Sequence, residues 1–181
     1  MKLREETLES IYLYRGRILN LRRDRVRLPD GGESEREIVE HNGGVCVAAL
    51  NEKGELYFVR QYRRPYDEVV LELPAGKLEK GEDPLNAGIR ELEEEAGVVA
   101  DHIRPMGRLY PSPGYCGEVI WLYLATGLSS TKQHLDADEF LEVEKIPLNR
   151  AVALVMEGAV PDAKTQVLIM KTAHLVATGE I

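Results

Sequence analysis

One segment of the chain, residues 83–97, carries the start and stop signals of a helix together with an unusual concentration of negative charge. Asp83 followed by Pro84 is typical of a helix start, because aspartate caps the first turn and proline fits its first position. Gly97 stands where a glycine stop belongs. The apolar residues in between fall on one helical stripe: Leu85, Ile89, Leu92 and Ala96. The pattern predicts a helix that buries this stripe against a core.

Three glutamates of this helix oppose its stability. Glu91, Glu94 and Glu95 stand at i, i+3 and i+4, so they share one face and repel one another. They also lie late in the helix, where the macrodipole disfavours anions. A divalent cation would reverse this balance, because magnesium and manganese accept hard oxygen ligands. A solvated, glutamate-rich helix face is the alternative, and the helix alone does not decide between the two.

The loop before the helix decides in favour of the metal. Gly76 is followed by five residues and Glu82, then by seven residues and Arg90-Glu-Leu-x-Glu-Glu-x-Gly-Val98. These 23 residues resemble the signature of the Nudix hydrolases, with every fixed position filled. The resemblance implies an enzyme that hydrolyses the pyrophosphate linkage of a nucleoside diphosphate joined to a second group.

The same resemblance implies a fold and a domain organisation. The fold class is α/β, a Nudix-type α/β/α sandwich around a mixed sheet with an N-terminal antiparallel strand region. Residues 1–42 are expected to form that strand region and to make a dimer, and residues 43–181 to form the hydrolase domain. Strand and helix patterns along the chain agree with a central sheet flanked by helices.

Metal ligands follow from the resemblance, residue by residue. Magnesium, with manganese as a possible substitute, is expected on Glu91, Glu95, Glu94 and the backbone carbonyl of Ala75. Glu94 is a ligand or a base close to the metal. Arg90 is expected to pair with one of these glutamates and to orient it.

Segments outside this motif resemble the ADP-ribose pyrophosphatase subgroup: residues 36–41, 59–63, 71–76 and 110–114. The subgroup implies ADP-ribose as substrate, with AMP and ribose 5-phosphate as products. Arg36 and Arg63 are expected to contact it, since guanidinium binds phosphate bidentately and stacks on a base. Gly114 is assigned to the substrate site. Strand-surface positions are the alternative for the two arginines.

Glu139 is our first choice for the base that deprotonates the attacking water, because it lies in a loop between two predicted strands. Glu142 and then Glu94 are the alternatives. The four histidines have no ligand spacing such as i, i+4, which argues against a zinc site.

Composition restricts the partners. A formal net charge of −8 argues against nucleic acid and anionic membranes, which require a positive field. The longest apolar run, 45–50, is too short to cross a bilayer, and the N-terminus lacks an export pattern. Cys46 and Cys116 are interpreted as buried, reduced thiols, so a cytoplasmic enzyme is expected.

The arginine-rich stretch 15–27 has two interpretations. A solvated strand face is favoured; positive potential near an anionic substrate or a partner subunit is the alternative. Subgroup members are homodimers, so the resemblance implies a homodimer in which Arg36 acts across the interface.

Periodicity and turn signals predict the remaining elements. Strands are expected over 18–28, 34–41, 45–50, 56–62, 68–73, 119–125 and 140–146, and helices over 151–157 and 162–177. The turn at 51–54 is expected to join its two flanking strands as a hairpin.

Two further functions compete with ADP-ribose hydrolysis. Another nucleotide sugar, such as an ADP- or GDP-hexose, would use the same motif, since the base and sugar pocket is not determined by it. A nucleotide sensor without activity is the second, although such domains commonly lack some of the glutamates that are all present here.

Overall fold

The computed structural model describes residues 3–135 and 139–181. Its contacts divide the chain into two compact units. The first runs up to Gly43 and includes Tyr110–Val119, and the second comprises Gly44–Leu109 and Ile120–Ile181. Within the described residues, no helix is long and apolar enough to span a membrane.

The first unit is built on a three-stranded antiparallel sheet. Its strands, in the order β1-β2-β3, are β1 (Glu6–Arg15), β2 (Leu19–Arg27) and β3 (Glu33–His41). The predicted turn between β2 and β3 is present, with Gly31 at φ 90° and Leu28 N–H donating to the Gly32 carbonyl over 2.7 Å. The bounds of strands β2 and β3 therefore agree with the predicted ones to within one residue.

Most arginines of the 15–27 stretch are neutralised inside this sheet. Ion pairs join Arg22 to Asp24 and Glu40, Arg23 to Glu35, Arg25 to Glu9 and Glu33, and Arg27 to Glu6. Arg15 stacks over the ring of Tyr12 at 3.6 Å. Cross-strand pairs of opposite charge stabilise adjacent strands. This arrangement favours the interpretation of a solvated strand face.

The second unit contains two sheets and three helices. Its elements in chain order are β4 (Gly44–Ala49), β5 (Glu55–Arg63), β6 (Glu68–Glu72), β7 (Ala75–Lys77), α1 (Pro84–Ala96), β8 (Val98–Leu109), β9 (Ile120–Ser130), β10 (Leu141–Pro147), α2 (Leu148–Met156) and α3 (Ala163–Thr178). The mixed sheet has the order β7-β4-β9-β8, with β4 and β9 parallel. The other sheet is antiparallel, in the order β10-β5-β6.

Strand β4 lies between two hydrophobic cores. Val45, Val47 and Ala49 belong to the core that α1 completes with Ala87, Leu92 and Ala96. The intervening Cys46 and Ala48 belong to the core that α3 completes with Leu168, Ile169 and Leu175. Side chains alternate along a strand, so α1 and α3 cover opposite faces of the mixed sheet. The predicted α/β/α sandwich is confirmed.

The predicted hairpin between β4 and β5 is wrong, although its turn is present. Asn51 Oδ1 accepts hydrogen bonds from the backbone N–H groups of Lys53 and Glu55, and Gly54 adopts φ 72°. Beyond the single bridge of Leu50 to Leu56 the strands separate. Both edges of β4 are occupied by β7 and β9, so β5 pairs with β6 and β10 instead.

Candidate active site

Helix α1 has the bounds that the sequence predicted. The Asp83 side chain accepts hydrogen bonds from the backbone N–H groups of Leu85 and Asn86, at 3.0 and 3.1 Å. At the other end Gly97 adopts φ 61°, and its N–H donates to the Glu93 carbonyl. Both ends of the helix that carries the glutamates are therefore fixed by the chain itself.

A segment after β9 completes the C-terminus of α1. The last carbonyls of a helix lack partners within it. The Gln133 side-chain amide donates to the Glu95 carbonyl at 2.6 Å, and the His134 N–H donates to the Glu94 carbonyl at 3.0 Å. Thr131 N–H donates to the Gly97 carbonyl. The segment that leads toward Glu139 thus begins against the glutamate-bearing turn, a contact that the sequence did not predict.

Arg90 holds three glutamates of the motif. Its Nε and Nη2 donate to Glu82, at 3.0 and 3.1 Å, and its Nη1 donates to Glu91 and Glu94, each at 2.8 Å. The predicted pairing of Arg90 with a motif glutamate is confirmed. The hydrogen bonds that Arg90 donates to Glu82, together with the negative charge of Glu91, raise the pKa of Arg90. The contact of Glu82 is therefore structural. Glu82 holds the Arg90 guanidinium, which in turn orients Glu91 and Glu94.

Gly76 leaves the space that the Glu91 carboxylate fills. A Cβ atom at this position would lie 1.9 Å from both the carboxyl carbon and Oε1 of Glu91. No side chain fits there unless Glu91 moves, since carbon atoms in contact are separated by about 3.5–4 Å. The glycine of the motif is thus required by the carboxylate it faces.

Glu95 and Glu91 are the buried carboxylates of the helix, 2% and 7% exposed. Burial raises the pKa of Glu95 to about 8, although its Oε2 accepts a 2.8 Å hydrogen bond from the Ala75 N–H; the charges of Glu91 and Glu139 add to the rise. Burial also raises the pKa of Glu91, against the opposing effect of Arg90. Both anions are costly in this environment, and a cation would compensate them.

These residues fit a hard divalent cation. The glutamates of α1 offer carboxylate oxygens, which magnesium and manganese prefer to sulfur or imidazole ligands. In residues 3–135 and 139–181, no group of three His, Cys, Asp or Glu side chains is already arranged around a metal position. Arg90 and the Ala75 N–H hold the carboxylates instead. The assignment of Glu91, Glu94, Glu95 and Ala75 as ligands stays a prediction.

Arg63 lies at the end of β5, beside a glutamate for which no role was predicted from the sequence. Its Nε and Nη2 donate to Glu72, at 2.6 and 2.8 Å, and Lys164 of α3 donates to the same carboxylate at 2.5 Å. Glu72 is 2% exposed. The available signal was a charged residue at the end of the apolar run 69–71. The role of Arg63 in substrate binding stays a prediction.

Arg36 and Gly114 belong to the first unit, and the residues described above belong to the second. Arg36 donates from Nε to Glu5 at 3.1 Å and from Nη1 to Ser34 at 2.9 Å. Gly114 has open space where a Cβ would stand. The sequence assigned both to the substrate site, and both assignments stay predictions.

The three candidate bases differ in their surroundings. Glu139 is half-buried, and its charge contributes to the raised pKa of both Glu91 and Glu95. Glu142 is exposed on β10. Glu94 is held by Arg90. The charge of Glu94 also acts on Glu91, whereas that of Glu139 acts on both buried carboxylates.

We expect Gly76→Ala to reduce divalent-metal affinity and turnover by about 10- to 100-fold, the range found when the support of a metal ligand is removed. The added methyl group displaces the Glu91 carboxylate. Calorimetric titration with Mg²⁺ and a rate measurement at several Mg²⁺ concentrations test this. Gly88→Ala is the matched control, because its Cβ lies in α1 but meets Tyr123, at 3.2 Å, and not a glutamate. Unchanged metal affinity in Gly76→Ala would contradict the assignment.

Comparison with known families agrees with this site. The Nudix domain family matches residues 40–167, and the nucleoside diphosphate sugar hydrolase N-terminal domain family matches residues 5–39. A crystal structure of an ADP compounds hydrolase superposes with a TM-score of 0.85 over 98% of this chain and 97% of that one. Its sequence identity is 20%, so the likeness concerns the fold alone.

Relatives of known sequence are similar over nearly the whole chain. The ADP-ribose pyrophosphatase of Bacillus subtilis is 42% identical over 165 residues, which are 90% of this chain and 89% of the relative. The ADP-ribose pyrophosphatase of Mycobacterium tuberculosis is 37% identical over 179 residues, 96% of this chain and 85% of the relative. Together with the signature around α1, these matches show that the chain belongs to the Nudix family, as a pyrophosphohydrolase.

Proposed function

We propose that the protein hydrolyses the pyrophosphate bond of ADP-ribose, giving AMP and ribose 5-phosphate, with Mg²⁺ as its metal and Mn²⁺ as a substitute. The observation that carries the proposal is the pair of buried carboxylates on α1, with Glu91 against Gly76 and Glu95 hydrogen-bonded to the Ala75 N–H. The choice of ADP-ribose is supported by the pyrophosphatases of that name, 42% and 37% identical to this chain.

Each residue of the site has a defined task in this reaction. Glu91, Glu95, Glu94 and the Ala75 carbonyl would hold the metal, which when bound supplies charge neutralisation of the diphosphate and polarises a phosphorus. Arg63 binds a phosphate oxygen, because its guanidinium is fixed by Glu72 while the side chain is still 35% exposed. Arg90 keeps Glu91 and Glu94 in position.

Glu139 takes the proton of the attacking water. The water oxygen forms a bond to one phosphorus, the bond from that phosphorus to the bridging oxygen breaks, and the bridging oxygen leaves with the second phosphate. Support for Glu139 is its charge, which acts on both Glu91 and Glu95. Glu94 is already engaged by Arg90, whose Nη1 donates to its carboxylate over 2.8 Å.

We also propose a homodimeric, cytoplasmic enzyme that acts on a small nucleotide and binds neither nucleic acid nor membrane. Self-association is supported by exposed apolar residues on β1, where Ile11, Tyr12, Leu13 and Tyr14 are between 39% and 58% exposed. A reducing compartment is supported by Cys46 and Cys116, which are both free. Cys46 is buried as expected, whereas Cys116 is only half-buried.

A second substrate class has specific support. A GDP-mannose pyrophosphatase of Yersinia enterocolitica is 29% identical over 144 residues, 74% of this chain and 75% of the relative. GDP-hexose hydrolysis would use the same glutamates and metal and differ only in the pocket for base and sugar.

The test is an assay of the purified protein with ADP-ribose, ADP-glucose and GDP-mannose, each with and without Mg²⁺. We expect Mg²⁺-dependent release of AMP, with the largest kcat/KM for ADP-ribose. Preference for another nucleotide sugar would rule out ADP-ribose as the main substrate but leave the proposed reaction in place. Tight binding of all three without products would identify a sensor and overturn the enzymatic proposal.

A further inference from the structure

Four charged side chains, Arg63, Glu72, Asp162 and Lys164, form a partly buried cluster on which the charge of Glu95 in α1 acts. Glu72 lies at its centre and accepts hydrogen bonds from Arg63 on β5 and from Lys164 on α3. Lys164 is also 2.9 Å from Asp162, the N-cap of α3. The cluster therefore joins three elements that are up to 101 residues apart in sequence, from Arg63 to Lys164.

Lys164 is in an unfavourable place for a lysine. It stands in the first turn of α3, where the helix dipole disfavours a cation, and its side chain is only 13% exposed. Burial lowers the pKa of Lys164, but the charges of Glu72 and Asp162 outweigh that effect and raise it. A residue chosen only for helix stability would not be a buried lysine here, so the contact with Glu72 has a separate purpose.

The geometry of Arg63 indicates that purpose. Its Nε and Nη2 are taken by Glu72, which directs the remaining nitrogen, Nη1, away from the carboxylate. The Arg63 side chain is 35% exposed, whereas Glu72 is almost fully buried. The negative charge of Glu95 contributes to the raised pKa of Arg63, so the guanidinium lies within electrostatic range of the proposed metal site.

Lys164 and Arg63 share one oxygen of Glu72. Arg63 Nη2 and Lys164 Nζ both donate to Oε2, at 2.8 and 2.5 Å. Burial alone would raise the pKa of Glu72, but the hydrogen bond of Arg63 and the charge of Lys164 lower it. The second cation therefore draws part of the carboxylate's charge away from Arg63, and leaves more of the guanidinium's positive charge for a ligand.

We propose that Lys164 is a positioning residue for nucleotide binding, which acts through Glu72 to fix the orientation and the effective charge of Arg63. The proposal rests on the proposed function, in which Arg63 binds a phosphate oxygen of the nucleotide. The backbone supports the same arrangement, since Thr165 Oγ1 accepts a 2.9 Å hydrogen bond from Leu73 N–H and ties α3 to the residue after Glu72.

A double-mutant cycle tests the proposal with four proteins: wild type, Lys164→Met, Arg63→Lys and the double variant. We expect Lys164→Met to raise KM for the cleaved nucleotide about tenfold and to change kcat less than about threefold. In the Arg63→Lys background, which lacks the planar fork, the same substitution should raise KM less than about twofold. Lys164→Arg should restore most of the lost affinity, because it returns a cation to Glu72.

Two controls separate positioning from a purely structural role. Lys171→Met removes another hydrogen-bonded lysine of α3, whose Nζ donates to the Met106 carbonyl at 2.6 Å outside the cluster, and should leave KM unchanged. Thermal unfolding of every variant shows which of them are folded. The proposal is overturned if Lys164→Met raises KM equally in both backgrounds, or lowers only kcat or the unfolding temperature.

Calorimetric binding of ADP-ribose without metal, measured on the same four proteins, gives the cycle without any turnover. If the wild type binds ADP-ribose but cuts no nucleotide, the proposed reaction fails while the coupling of Lys164 and Arg63 is still measured as a difference in Kd. If the wild type cuts a nucleotide and the two substitutions are additive in Kd and KM, the reaction stands and the role of Lys164 fails.

Discussion

Glu95→Gln is expected to lower kcat by roughly 10³-fold, because a metal ion contributes several kcal/mol of charge stabilisation to such a transition state. The amide keeps the shape of the side chain, but it loses the charge that would hold the cation. The measurement is the rate of AMP release from ADP-ribose at saturating Mg²⁺, compared with that of the wild type.

The same variant should fold normally, which makes the result easy to interpret. Glu95 is 2% exposed, and burial raises its pKa to about 8, so the charge at this position is a cost to the metal-free protein. Glutamine still accepts the hydrogen bond from the Ala75 N–H through its amide oxygen. We therefore expect an unfolding temperature without Mg²⁺ that is equal to that of the wild type or higher.

Mg²⁺ provides a second measurement. In the wild type it should raise the unfolding temperature, since a ligand at 100 times its Kd stabilises a fold by about 2.7 kcal/mol. Glu95→Gln should lose most of that rise. Glu93→Gln is the matched control, because Glu93 lies on the same helix and contacts Thr131 instead of the buried pair. An active Glu95→Gln with a normal response to Mg²⁺ would exclude Glu95 as a ligand.

Glu139→Gln should lower kcat by about 10²–10⁴-fold, the usual contribution of a general base, with little change in KM. The effect of Mg²⁺ on the unfolding temperature distinguishes a general base from a metal ligand. If Glu139 acts on the water and does not hold the metal, the rise of the unfolding temperature with Mg²⁺ should persist. The residual rate should also increase with pH, because hydroxide from solution can then attack without the help of a general base.

Glu142→Gln tests the main alternative to this base. Glu142 is exposed on β10, and we expect less than about a threefold fall in kcat. If Glu142→Gln is inactive and Glu139→Gln is active, the base is Glu142 and our choice is wrong. If Glu139→Gln loses the Mg²⁺ response as well as activity, Glu139 is a ligand and not the base.

Local signals made the helix of the site predictable. Asp83, Pro84 and Gly97 act within one turn of their own positions, so the bounds of α1 could be derived from neighbouring residues alone. The motif then identified the glutamates. Both cases succeed because the residues involved belong to one continuous segment, 76–98.

Pairings between distant segments could not be derived in this way. The turn at 51–54 was correct, but the edges of β4 are occupied by β7 and by β9, whose paired residues lie 76 positions further along the chain. Strand β8 was not predicted, because Pro105 and Gly107 interrupt its pattern; the structure accommodates them at an irregularity in the pairing with β9.

The partners of Arg63 also could not be derived from neighbouring residues alone. Glu72 is nine residues away, but Lys164 comes from the last helix of the chain, and no local pattern connects them. The unfavourable position of a lysine in the first turn of α3 was the visible signal. Its meaning depends on a buried carboxylate that only the folded chain brings next to it.

The alternation along β4 has a consequence for how this chain tolerates insertions and deletions. Removing or adding one residue at the start of the strand would rotate every following side chain to the opposite face. Cys46 and Ala48 would then meet α1, and the larger valines would meet α3, so both interiors would be mispacked at once. We therefore expect this unit to tolerate changes of chain length only in its exposed connections, because packing fixes the spacing between the sheet and the glutamates of α1.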